Sequence, residues 1–109
     1  IERFVVAEYD GHIVGCAALY AFPDEKIGEL AALAVQPDFR REGYGEALLR
    51  EIEARARKLK LAELFVLTTR TAHWFLERGF RNATVADLPQ QKQALYNYQR
   101  KSLVYRKSL

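Results

Sequence analysis

The sequence predicts an α/β (α+β) domain in which a mixed, mostly antiparallel sheet carries one parallel βαβ unit. Three observations predict it: apolar strand-like segments near the start separated by turn signals, an amphipathic helical stretch after them, and a short unbroken apolar run after that. The 109 residues, 50% hydrophobic and 28% charged, suffice for a single domain over 1–109 with one core.

Residues 4–8 read as a strand that turns at Asp10-Gly11, a pair that tolerates the positive φ a tight hairpin demands. Residues 13–22 return antiparallel, with Cys16 as a small buried residue. Pro23-Asp24-Glu25-Lys26 turns the chain again, and 27–35 form a third strand. A polar loop at 36–42 leads into a helix over 43–59, whose Tyr44, Leu48, Ile52, Ala56 and Leu59 make one apolar face. Glu46–Arg50, Glu51–Arg55 and Glu53–Arg57 are glutamate-first pairs on that helix, and its last turns are basic, as the dipole prefers. The run at 64–67 is a strand buried on both faces, so a right-handed crossover places it parallel to the third strand. A short helix at 71–78 turns Ala72, Phe75 and Leu76 inward and ends at Gly79. A strand at 81–85, a helical turn at 89–95 and a last strand at 102–107 complete the chain.

Several function classes drop out on composition. A single cysteine excludes a disulfide framework, and Cys16 with His12 and His73 makes no Cys/His zinc cluster, so no metal is expected. Ser102 and Ser108 lie outside any G-x-S-x-G elbow. There is no apolar run of about 20 residues and no signal-peptide pattern, which leads us to expect a cytoplasmic protein without a membrane partner. A net charge of +3 and a pI near 9.1 suit an anionic ligand without requiring nucleic acid.

Local rules are broken at Arg40-Arg41-Glu42-Gly43-Tyr44-Gly45-Glu46. Two glycines in a first helical turn forfeit about 1 kcal/mol each, and arginines beside a helix N-terminus oppose its dipole by roughly 0.3–1 kcal/mol each. Both make sense if an anion docks there, approached by backbone N–H groups and flanked by guanidinium groups. No G-K-[ST] follows, so the loop is not a Walker A loop, and the third glycine of a dinucleotide fingerprint is missing.

The R-x-x-G-x-G spacing of Arg40, Gly43 and Gly45, between a strand and an amphipathic helix, resembles motif A of the GNAT N-acetyltransferase family. That resemblance implies an acetyl-CoA site. The loop from Arg40 to Glu46 would cradle the pyrophosphate, with Leu33, Ala34 and Val35 beside the thioester and Trp74 and Phe75 on the later helix. A narrower resemblance covers nearly the whole chain. Gly15-Cys16-Ala17-Ala18-Leu19-Tyr20, Ile27-Gly28-Glu29, Leu64-Phe65-Val66-Leu67-Thr68-Thr69-Arg70, His73-Trp74-Phe75 and Leu95-Tyr96-Asn97-Tyr98-Gln99-Arg100-Lys101-Ser102 resemble the acetyltransferase domain of bacterial N-acetylglutamate synthases. Those enzymes acetylate the α-amine of glutamate in the first step of arginine biosynthesis. Such domains carry a further strand and helices ahead of the point where this sequence begins. With no methionine at position 1, a chain shortened at its N-terminus is expected.

Acetyl transfer to an amine needs a neutral nucleophile, an oriented thioester and a proton for the leaving thiolate. Glu29 is the expected general base, through a water. Alternation along 27–35 puts it on the face of Ile27, Leu33 and Val35 unless a bulge intervenes, and apolar surroundings make a carboxylate a better proton acceptor. An edge-strand glutamate facing water is the plain alternative. Backbone N–H groups at Leu33, Ala34 and Val35 would polarise the carbonyl. Thr68 is the expected thiolate donor by resemblance, with water or a helix-capping threonine as the alternative. The residues Trp74 and Phe75 stand where many family members place a tyrosine acid. By the same resemblance, Arg100 and Ser102 would take the glutamate carboxylates. Other readings stay open: another amine substrate, or a silent fragment that binds acetyl-CoA without turnover. A nucleic-acid module is disfavoured because the basic residues of 40–60 interleave with Glu46, Glu51 and Glu53. A homo-oligomer is compatible with all of these.

Overall fold

In the computed structural model, which describes residues 2–68, 72–89 and 103–109, the chain opens with an antiparallel hairpin. Strands β1 (Glu2–Tyr9) and β2 (His12–Phe22) are joined by Asp10 and Gly11 at φ 51° and 79°, the two left-handed positions that the Asp-Gly pair predicts. A 3-10 turn at Pro23–Glu25 leads to β3 (Ile27–Val35), which pairs antiparallel with β2. Helix α1 (Tyr44–Lys58) crosses to β4 (Glu63–Thr68), which lies parallel to β3 as the crossover requires. Then come α2 (Ala72–Leu76), β5 (Arg81–Ala83) and β6 (Leu103–Ser108).

Among the described residues six strands are ordered β1-β2-β3-β4-β6-β5, and every neighbouring pair except β3–β4 is antiparallel. This is the mixed, mostly antiparallel sheet the sequence predicts. The main core lies between the sheet and the helices, where Leu48, Leu49, Ile52 and Ala56 of α1 meet Leu19, Leu30, Leu64 and Val66. A smaller core of Ile27, Phe65, Leu88 and Val104 covers the opposite face, so β4 is buried on both sides.

Four expectations are corrected. Leu59 is exposed, because α1 closes with Lys60 at φ 63° and the core position passes to Leu61, whose N–H donates to the Ala56 carbonyl at 3.0 Å. Leu76 is also exposed, because the short α2 turns Phe75 into the core and packs Ala72 and Trp74 against it. Cys16 is half-buried. The strand after Phe80 stops at Ala83, since Thr84 donates its N–H to Asp87 Oδ2 at 2.9 Å and opens a capped turn. Gly79, at φ 95°, ends α2 as predicted. Its N–H reaches the Leu76 carbonyl, Phe80 N–H reaches the Phe75 carbonyl, and the two phenyl rings pack edge to face 5.2 Å apart. The helical turn expected at 89–95 lies, past Pro89, outside the described residues.

Candidate active site

The site begins with an extra residue. Leu19 pairs with Leu30 but Ala18 pairs with Ala32, so Ala31 is a β-bulge in β3. The bulge changes which residues share a face. Ile27, Glu29, Ala32 and Ala34 now lie away from α1, while Leu33 and Val35 pack on the α1 core. The expected grouping of Glu29 with Leu33 and Val35 is therefore corrected: strict alternation fails at Ala31. Beyond the bulge β3 also parts from β4. Parallel pairing ends at Glu29–Phe65, whereas pairing to β2 continues to Gly15–Val35. One edge of β3 from Leu30 onward thus faces a cavity of about 470 Å³.

This cavity is lined on the strand side by Leu30, Ala31, Leu33 and Val66 and on the loop side by Arg40, Arg41, Gly43 and Gly45. Gly43 caps α1 at φ 86°, with no side chain satisfying the first-turn N–H groups. Gly45 is favoured by proximity instead, because a Cβ there would come 3.3 Å from Trp74 Cζ2 and the indole would have to give way slightly. Two glycines therefore leave a bare helix N-terminus open to an anion, flanked by arginines. Arg40 is partly committed, its Nε donating to the Val35 carbonyl at 3.2 Å and tying the loop to the end of β3.

Of the other expected residues, Glu46, Trp74 and Phe75 line the cavity, whereas Ala34, Glu42 and Tyr44 do not. Tyr44 packs edge to face with Phe39, the ring centroids 5.9 Å apart. Glu29 stands at the last β3–β4 pair, at the apex of the gap, and only 7% of it is exposed. Thr68 closes β4 directly after Leu67, which lines the cavity. Arg100 and Ser102 lie outside the described residues.

Sequence reasoning missed Arg78. It lines the same cavity, its guanidinium lies 4.0 Å from the Trp74 ring centroid, and its Nη1 donates to the Trp74 carbonyl at 3.0 Å. The Trp-to-Arg spacing of four residues was the available signal. Glu46 receives Arg50 at 2.7 Å and faces Arg78 at 3.6 Å. The hydrogen bond and charge of Arg50, and then the charge of Arg78, hold its carboxyl below the ordinary glutamate range. Among the described residues no cluster of His, Cys, Asp and Glu could hold a metal ion, and no helix is long and apolar enough to cross a membrane.

Comparison with known proteins agrees with this geometry. The chain is 58% identical, over all 109 residues, to an amino-acid acetyltransferase of Ralstonia nicotianae, of which it spans 24%. It superimposes with a TM-score of 0.93 and 40% identity on an N-acetylglutamate synthase of Neisseria gonorrhoeae complexed with coenzyme A and N-acetyl-glutamate, covering 97% of this chain and 25% of that one. With the same organism's enzyme complexed with coenzyme A and L-arginine, the TM-score is 0.89 at 42% identity, covering 97% of this chain and 24% of that one. This chain thus spans about a quarter of the length of these relatives. The family model for acetyltransferases of the GNAT type matches residues 2–98, and the chain belongs to that family.

Proposed function

We propose that this chain binds acetyl-CoA in the cavity between β3 and β4 and transfers its acetyl group to the α-amine of an amino acid, L-glutamate, giving N-acetylglutamate and CoA. The reaction would open arginine biosynthesis, as the resemblance implies. The observation that carries the proposal is the gap itself: an open strand edge facing a glycine-built helix N-terminus, with Arg40 and Arg41 beside it. The fit is chemical as well as spatial. Bare N–H groups and guanidinium groups suit a pyrophosphate, and the apolar walls of Leu30, Leu33 and Val66 suit a pantetheine arm. Glutamate as acceptor rests on the named relatives.

When bound, acetyl-CoA supplies the activated thioester. The chain's own groups do the rest. Along the open edge the N–H groups of Leu33 and Val35 donate to the carbonyl oxygen, whereas that of Ala34 points to β2, as that of Gln36 does. Glu29 takes the amine proton through a water, on the face where Ala32 and Ala34 leave room for the acceptor. Thr68 offers a hydroxyl hydrogen bond to the departing thiolate, which takes back, by way of water, the proton that the amine gave up. Arg100 with Ser102 grips the glutamate carboxylates.

Gly43→Asp is the sharpest probe of the cofactor site. A Cβ there meets nothing within 4 Å, and aspartate is among the residues least penalised at positive φ, so the change adds charge without crowding at the cost of some backbone strain. Calorimetric titration should show acetyl-CoA binding to the wild type and a loss of about tenfold or more in the variant, whereas equal affinities would refute the loop assignment. In a turnover assay over a panel of amino acids, glutamate should be acetylated. Glu29→Gln should then lower kcat about a hundredfold with acetyl-CoA affinity retained. Turnover of other amines but not glutamate would overturn the acceptor.

A further inference from the structure

Arg78 is oriented by contacts that do not use its full donor capacity. The Trp74 ring and carbonyl fix the guanidinium at 4.0 and 3.0 Å, and its Nε is buried with no hydrogen-bond partner. Its separations from Glu46 and from the exposed Glu77, 3.6 Å each, are charge attraction rather than hydrogen bonds. Glu46 does not depend on that link, since its other oxygen is held by Arg50 Nη2 at 2.7 Å and Nε at 3.2 Å. Glu46 is also the one carboxylate among the described residues lining the cavity, against Arg40, Arg41 and Arg78. It stands in the first turn of α1, where the helix N-terminus favours a negative charge. A second cavity, of about 450 Å³, opens on the far side of the same two side chains and is lined by both of them with Arg50 and Lys107.

Resting on the acetyl-CoA reading, we infer that Glu46 and Arg78 form an exchangeable latch. Glu46 holds the place of an anion at the helix N-terminus, and a phosphate group of the incoming cofactor takes over Arg78 while Glu46 stays with Arg50. Arg78 is then a phosphate-binding residue for this site, and Glu46 tunes affinity by competing with the ligand. Such a carboxylate penalises phosphate-bearing ligands alone, since a neutral thioester has nothing to exchange.

Titrations of the protein with acetyl-CoA and with S-acetylpantetheine, which lacks the phosphates, test this. Arg78→Gln should weaken acetyl-CoA about tenfold and S-acetylpantetheine less than about twofold, with Arg78→Lys in between. Glu46→Gln should tighten acetyl-CoA about threefold and leave S-acetylpantetheine unchanged. If Arg78→Gln fails to fold by circular dichroism, Arg78→Lys and Glu46→Gln still decide. Equal effects on both ligands, or a weakening by Glu46→Gln, overturn the latch and reduce Arg78 to a strut between α2 and α1. A wild type that binds S-acetylpantetheine no worse than acetyl-CoA overturns the latch alone, and one that binds neither overturns the cofactor reading with it.

Discussion

Glu53 looks from its spacing like the outer half of a surface pair with Arg57, yet it is buried on the inner side of α1. Its close partner is Lys107 Nζ at 2.7 Å, from a strand 54 residues away, while Arg57 stands off at 4.0 Å. Helical spacing cannot reveal a partner that distant. A buried carboxylate stripped of its cation is costly, so Lys107→Ala should lower stability by about 3 kcal/mol in urea unfolding. The double change Glu53→Leu, Lys107→Met should cost far less, because no charge is left behind. Asp87 gives a pH effect of definite sign. The Thr84 N–H, then the Thr84 hydroxyl and the charge of Arg106 hold its carboxyl below the ordinary aspartate range. The unfolded chain therefore binds more protons as pH falls. The contribution is full above the unfolded pKa of about 4 and drains as pH drops through the native value. Between about pH 4 and pH 2 the wild type should lose resistance to urea faster than Asp87→Asn.

The βαβ unit is the element most legible in the sequence, because period, charge pairs and the apolar run at 64–67 agree on it. Its exit was less so. Lys60 adopts φ 63° where glycine is usual, its N–H reaching the Arg57 carbonyl at 2.9 Å, and nothing in the lysine side chain announces that geometry. Lys60→Gly should remove that backbone strain and raise stability by about 0.5–1 kcal/mol, visible as a higher melting temperature. The bulge was hidden for a related reason. Leu30-Ala31-Ala32-Leu33 fits a regular alternation as easily as an interrupted one, since either alanine can face either way. The loop glycines were legible because they violate helix preference, but which of them served conformation and which served closeness to Trp74 required the fold.

At the scale of the molecule the bulge and the cavity are one feature. Removing Ala31 would leave every other β2–β3 pair on its present face while straightening β3 toward β4. A variant lacking Ala31 should keep its melting temperature within a few degrees yet lose acetyl-CoA binding. Unchanged affinity would separate the bend from the cavity. The order of the first four strands was legible, but the place of β6 between β4 and β5 was beyond the sequence's reach, because only pairings between neighbours in the chain leave a local signal.

That order has a consequence for how the chain is made. The last strand, β6, is not at a margin of the sheet but sits between β4 and β5. During synthesis β4 must therefore wait, with one side of its backbone unpaired and apolar residues on both faces, until β6 has emerged. A nascent chain halted before Leu103 presents that bare flank to its neighbours on a polysome. A variant lacking residues 103–109 should hence be read out less as lost activity than as aggregated product, because β4 is left with a bare flank.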